Sequence, residues 1–348
     1  MNQFSISFDG QSLITPKSIA DETAPLDRKF FEEQFATGRA ELALSLSIAE
    51  QQFENGLAPE SVIHRLAEQL HKTRRTFHPQ VWQELVEVAQ NHPVSRFFLE
   101  DPFTRWSFEK PRGYSGDAHL LDFIYGHASV DEMIAHASPL GRSLYSYTKD
   151  ASSSVAVRER RDLLTRHVDE IAAKQGPETE ILAIAAGHLR EANGSAALQD
   201  RSIKRWVALD QDPFSVGSIA RDFTGTRVEA INGSVRSLLT RTQKLGHFDF
   251  IYAAGLYDYL THNVAVKLTR RCLEMLKPGG FFYFANFSSE IAVDGYMETF
   301  MNWPLLLRTE ADMWNIIHAV KGGDKLQASV EFGANRNIVY GMVQKPLA

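Results

Sequence analysis

From Asp27 to Phe53 the apolar residues Phe30, Phe31, Phe35, Leu42, Leu44, Leu46 and Ile48 recur at helix-like intervals, which predicts a long helix. Gly56 and Pro59 punctuate it. Pro59-Glu-Ser opens a second helix to about Lys72, and a third runs from about Pro79 to Gln90 before Asn91-His-Pro. Ahead of these, residues up to about Ala24 are polar with scattered apolar positions, and residues 4–10 read as a short strand pair. Residues 101–117, dense in aromatics, Gly, Pro and charge, read as an ordered loop: either a tight connection between domains or a lid over a ligand. Asp117 is placed to cap a helix from Ala118 to Tyr125. A long helix follows from about Ser153 to Lys174, stopped by Gly176-Pro177.

Beyond that point the period changes. Short apolar runs at 181–186, 205–209, 228–231, 248–255 and 281–286 alternate with helical patterns ending near Phe223, at 263–276 and at 309–320. Strands alternating with helices imply a mostly parallel, doubly wound sheet with right-handed crossovers, an α/β architecture. Two last runs, about 326–332 and 338–344, pair as a hairpin that would supply an antiparallel edge strand. The chain therefore divides into a helical N-terminal cap or substrate domain, residues 1–150, and a sheet domain, residues 151–348.

Composition narrows the function without naming it. The 348 residues carry a formal charge of −6, which argues against a nucleic-acid partner. The single cysteine, Cys272, forms no internal disulfide, and no Cys/His cluster has zinc spacing, so no metal is expected. No apolar run approaches the roughly 20 residues that span a bilayer, and the first residues lack a signal-peptide pattern. A soluble cytoplasmic protein is expected. The helical region either dimerises or only caps, which leaves a homodimer open.

The chemistry centres on Glu180 to Glu191. An apolar strand reaches a small-residue turn at Gly187, and some twenty residues later a second strand ends on Asp210. Strand, tight turn, second strand and acidic tip are the order of a nucleotide-binding βαβ unit, in which the acid accepts hydrogen bonds from both ribose hydroxyls.

With Asp212-Pro213, Asn232-Gly-Ser-Val, Phe248-Asp-Phe-Ile-Tyr and Leu276-Lys-Pro-Gly-Gly in this order, residues 180–345 resemble a class I S-adenosylmethionine-dependent methyltransferase. The resemblance implies a Rossmann-like, seven-stranded methyltransferase sheet and S-adenosylmethionine as cofactor. Two departures stand out: of the usual alternating glycines only Gly187 remains, and Gly233 stands where many relatives place an acid. Over residues 95–345, and most of all in Phe108-Glu-Lys-Pro-Arg-Gly-Tyr-Ser-Gly-Asp, the chain is similar to bacterial quorum-signal enzymes that form 3-hydroxy fatty-acid methyl esters, and to natural-product relatives. That similarity implies carboxylate O-methylation of a 3-hydroxy acyl substrate. N- or C-methylation of an amino-acid-derived or aromatic small molecule is the competing reading, and a cofactor-binding regulator without catalysis is a third.

By position in that family, the turn at Gly187 with Glu191 holds the methionine portion, and Asp210 with Gln211 holds the ribose. Gly233, Ser234 and Val235 flank the adenine, and Ala254, Gly255 and Leu256 pass beside the sulfonium. Arg158, Arg160 and Arg161 precede the first strand. One of them near the strand ends could meet a ligand carboxylate, and Arg158 and Arg161 join Tyr114 as cofactor candidates. Tyr257 and His262 are the catalytic candidates, though each also reads as a packing residue or helix cap. Arg112, Tyr114, Tyr147, Tyr259, Trp303 and Arg308 are the substrate candidates, with Arg308 either meeting an acceptor carboxylate or pairing with Glu310 or Asp312.

Overall fold

The computed structural model describes residues 27–320, 322 and 326–347. The strand pair expected at residues 4–10 lies outside them. The described chain forms two compact units: residues 27–155 with 291–305, and residues 156–290 with 306–347. The second unit is thus interrupted by a segment of the first.

In the first unit, helix Arg28–Glu54 buries Gly38, Leu42, Leu46, Ala49 and Phe53, a stripe at three- and four-residue spacing. It packs on helices Pro59–Thr76 and Pro79–Gln90. Gly38 permits the approach, because a Cβ there would lie 2.8 Å from Leu85 Cδ1 and 3.1 Å from Phe77 Cζ. The loop expected over 101–117 is shorter than expected. Asp101 accepts from the Phe103 N–H and, with Pro102 behind it, starts a helix to Glu109, which ends at Lys110 in the left-handed region. Only the stretch after Lys110 is loop, and helix Ala118–Tyr125 opens on Asp117 as its cap. Two further helices, Asp131–His136 and Pro139–Lys149, were not anticipated.

The returning segment completes this unit. Its helix Asp294–Thr299 lies on helix Pro59–Thr76, held by His71 and Arg74 to Asp294 at 2.7 and 3.0 Å, and by Arg74 to Glu298 at 2.9 Å. At the crossing a Cβ on Gly295 would sit 2.5 Å from the backbone carbon of Leu70 and 2.8 Å from the His71 nitrogen.

The second unit is built on one sheet in the order β3-β2-β1-β4-β5-β7-β6. β1 (Glu180–Ile184), β2 (Arg205–Asp210), β3 (Val228–Asn232), β4 (Phe248–Ala253) and β5 (Leu276–Phe287) run parallel, and β7 (Ile338–Gln344) is antiparallel to β5 and to β6 (Gln327–Phe332). This is the expected seven-stranded, Rossmann-like doubly wound sheet. The hairpin supplies the antiparallel edge strand as expected: β6 lies at the edge, and β7 sits between it and β5. Alternation along the strands sorts the two faces. Leu182, Val207, Ile251, Phe282, Phe284 and Val339 pack in one core with helices His262–Met275 and Glu310–His318. Phe250 and Tyr283 face the long helix Ser152–Gln175, whose His167 ring lies 6.3 and 4.9 Å from theirs. The division between the units falls within that helix, after Val155.

Two further expectations change. The first crossover carries a 3-10 turn, Arg190–Gly194, and a four-residue helix, Ala196–Gln199, instead of a full helix, because Asn193-Gly194-Ser195 breaks it and Ser195 caps the short piece. Lys277-Pro-Gly-Gly is part of β5 rather than a turn before it, and Gly280 is needed there because a Cβ would lie 2.9 Å from the Asp249 carbonyl oxygen. No described helix is long and apolar enough to cross a membrane.

Gly295→Ala should destabilise the first unit by about 1–3 kcal/mol, the usual range for overpacking a tight contact. Denaturant unfolding checks this, and an unchanged midpoint would contradict the close crossing.

Candidate functional site

The site of interest lies at the carboxyl ends of β1 to β4, where strand order reverses between β1 and β4 and open α/β sheets form their crevice. Leaving β1, the backbone turns through Ala185, Gly187 and Leu189, all with φ between 51° and 57°. Two of these positions are not glycine, so neighbouring contacts must hold the turn. Those contacts converge on the tip of β2. The Ala186 N–H donates to the Leu209 carbonyl at 3.1 Å, and the Gly187 N–H donates to Asp210 Oδ2 at 2.8 Å. Asp210 Oδ1 accepts from the Asp212 N–H at 2.8 Å, and its backbone carbonyl accepts from Gly233 at 2.9 Å. One residue thereby ties together the turns that follow β1, β2 and β3. Each carboxylate oxygen keeps a further acceptor position. Burial pushes the Asp210 carboxyl up to about 6 against the pull of those two N–H donors.

Around this knot, Asp212 caps helix Pro213–Asp222 by accepting from the Phe214 N–H at 2.9 Å, and the Phe214 ring itself is 57% exposed. Gln211 and Ser234 are half-buried and Val235 is buried. Gly233 is a close-approach glycine, since a Cβ would lie 2.5 Å from Leu209 Cδ1. Glu191 is buried, with the Tyr252 hydroxyl donating to it at 2.5 Å; burial holds its carboxyl above the usual range, opposed by that bond and by the charges of Arg160 and Arg161. At the tip of β4, Ala254 and Gly255 are half-buried and Leu256 is buried. The Ala254 carbonyl accepts from Arg160 Nη1 at 2.7 Å. Arg158 is half-buried, and Arg161 pairs with its neighbour Asp162 at 2.8 Å.

Several candidates take other roles. Tyr257 is fully buried between Phe282 and Phe284, and its hydroxyl is bonded to Thr269 at 2.8 Å, so it is a core residue and not a catalytic one. Arg308 is also structural. Its guanidinium donates to the Tyr257 carbonyl at 2.6 Å, to the Leu260 carbonyl at 2.5 Å and to Asn286 Oδ1, which removes it from the substrate set. His262 is exposed at the first position of helix His262–Met275, and Tyr259 is half-buried.

Arg112, Tyr114, Tyr147 and Trp303 belong to the first unit. Arg112 lies 3.7 Å from Asp117, whose other oxygen accepts from the Trp106 ring N–H. Tyr147 meets His64 at 3.1 Å, and Trp303 is buried. One buried residue of the turn after β1, His188, was not among the sequence candidates. Of the three arginines that were, Arg160 is the buried one.

No protein-family model matches the chain, and no curated protein matches it in sequence. Solved structures do resemble it. A possible exported protein from Bordetella parapertussis has a TM-score of 0.54 at 15% identity, over 92% of this chain and 100% of that one. The likeness is one of fold. The N-methyltransferase NodS from Bradyrhizobium japonicum WM9, in complex with S-adenosyl-L-homocysteine, aligns at 18% identity over 65% of this chain and all of its own, with a TM-score of 0.40. Magnesium protoporphyrin IX methyltransferase (ChlM) from Synechocystis PCC 6803, with bound SAH, aligns at 10% identity over 56% of this chain and 87% of its own, also at 0.40. These two are too distant to speak to the reaction.

The two corrected residues should separate cleanly in stability. Arg308→Met leaves three buried acceptors unpaired and should cost about 3 kcal/mol or more, whereas Tyr257→Phe loses one hydroxyl bond and should cost about 1 kcal/mol. Chemical denaturation of both variants measures this, and the reverse order would overturn the assignments.

Proposed function

We propose that this protein is an S-adenosylmethionine-dependent methyltransferase of small molecules. The observation that carries the proposal is the knot on Asp210: a buried acid at the β2 tip, at the sheet's switch point, that orders the glycine turn and keeps outward acceptor capacity. The residues present fit an adenosyl group. Asp210 would accept from the ribose hydroxyls, and Gly187, Gln211, Gly233, Ser234 and Val235 lie at the same strand ends. When bound, the cofactor supplies a methyl group already activated on sulfur, so positioning provides much of the rate.

Within this reading, carboxylate O-methylation of a 3-hydroxy acyl substrate is favoured over N- or C-methylation. An amine or carbon acceptor must lose a proton to a nearby base. Of the two candidate bases, Tyr257 is committed to Thr269 and has its hydroxyl pKa pushed well above the ordinary value by burial, and His262 lies on the surface. A carboxylate is already deprotonated at neutral pH and needs neither.

Incubation with S-adenosylmethionine and host extract, followed by mass spectrometry, tests the reaction. A new methyl that mild base removes is the expected result. A base-stable methyl would reject the ester reading, and binding of S-adenosylhomocysteine without turnover would make the protein a regulator. Acid pH provides a second check. S-adenosylhomocysteine affinity should fall as pH drops through about 6, where Asp210 gains its proton, and Asp210→Asn should flatten the profile. Unfolding does not mimic this loss. Asp101, Asp210 and Asp258 are all raised to about 6 by burial, so protonation between about 6 and their ordinary value of 3.8 favours the folded state.

A further inference from the structure

Two arginines are buried in the second unit, and they are used differently. Arg308 directs its donors at three protein oxygens. Among the described residues Arg160, 3% exposed, makes one hydrogen bond, to the Ala254 carbonyl, and has no carboxylate within ion-pair distance. The two buried acids that feel its charge are engaged elsewhere. Glu191 accepts from the Tyr252 hydroxyl, and Asp258 accepts from the Phe287 N–H at 2.6 Å. Burial raises the pKa of both, which weakens their compensation of the cation. A guanidinium carries five donors, and burying one without a counter-ion is costly.

A second orphan lies on the same face. The Tyr340 hydroxyl is buried and has no hydrogen-bond partner among the described residues. Its ring stacks on Tyr283, centroids 5.4 Å apart, and Tyr283 in turn touches His167. Arg160 is seven residues, about two turns or 10 Å, before His167 on the same helix. That displacement runs toward the carboxyl ends of the parallel strands, where Arg160 meets Ala254. Tyr340 is displaced the same way, since it pairs with Ala285, two residues beyond Tyr283 along β5. Both phenols feel the Arg160 charge. Glu159 accepts from the Ala334 N–H at 3.0 Å, and a Cβ on Gly333 would lie 3.4 Å from the Tyr340 ring, so the hairpin loop is fixed close beside it.

We propose that Arg160 and Tyr340 together hold the carboxylate of the methyl-accepting substrate. The free donors of a planar guanidinium and one phenolic O–H suit a planar monoanion. Arg160 touches the β4 tip beside Gly255, with Nη2 3.6 Å from where a Cβ on that glycine would stand. One carboxylate oxygen would accept from Arg160 and Tyr340 and leave the other free. The methylation itself rests on the reading above: an electron pair of the free oxygen forms the C–O bond as the S–CH3 pair returns to sulfur, and no proton is released.

Titration calorimetry of the full chain with 3-hydroxyoctanoate and its primary amide, with and without saturating S-adenosylhomocysteine, tests the site. The acid should bind at least about tenfold more tightly than the amide. Tyr340→Phe should weaken acid binding about tenfold, leave amide and S-adenosylhomocysteine affinities unchanged, and keep or raise Tm, because the lost hydroxyl has no partner. Arg160→Lys, which retains the charge without the fork, should weaken the acid as well. Equal binding of acid and amide, no binding of either, or unchanged acid affinity in both variants would overturn the proposal. Acid selectivity without any S-adenosylhomocysteine affinity would leave the site standing and reject the methyltransferase reading.

Discussion

The second unit depends on one carboxylate. Asp210 accepts the Gly187 N–H with one oxygen and the Asp212 N–H with the other, while its carbonyl accepts Gly233. Without that knot the turn after β1 would have to hold Ala185 and Leu189 in the left-handed region unaided, at a cost of order 1–3 kcal/mol each. The turn therefore achieves with contacts what a run of glycines achieves with freedom.

The same unit shows how burial alone does not define a residue's role. Arg308 and Arg160 are both almost inaccessible, and both lie near the carboxyl ends of the strands. One is saturated by backbone carbonyls and an amide oxygen, which fixes the chain after β4 against the exit of β5. The other has donors in excess of its partners. Tyr257 and Tyr340 form the corresponding pair of phenols, one bonded within the core and one not. Satisfied polar groups stabilise a fold, and each buried unsatisfied one calls for an explanation.

The strands, their order in the chain and the long helices were legible in the sequence because each rests on local periodicity. Helices 79–90 and 118–125 fall where Pro79, Asp117 and the apolar spacing place them. The acidic tip at Asp210 and the glycines at 187 and 233 were legible for the same reason, being tied to strand ends. The internal place of β7 was not, since strand order within a hairpin depends on which edge meets β5. Neither were the roles of Tyr257, Arg308 and Arg160. In an arginine-rich helix three neighbours look alike, and only packing decides which of them turns inward. The assignment of residues 291–305 to the first unit was equally invisible, because its partners lie on helices more than 200 residues earlier.

That last feature has a consequence for how the chain is made. Asp294 pairs with His71 across 223 positions, and Glu298 receives Arg74 and Trp82 across similar spans. At about 5–20 residues per second of synthesis, the early helices wait roughly 10 to 45 seconds for the segment that completes them. Through that interval the basic and aromatic side chains of residues 71–82 stand without their acidic partners. The first unit to emerge from the ribosome is thus among the last to close, and the nascent chain carries an unfinished helical surface while most of the sheet's strands are still being made.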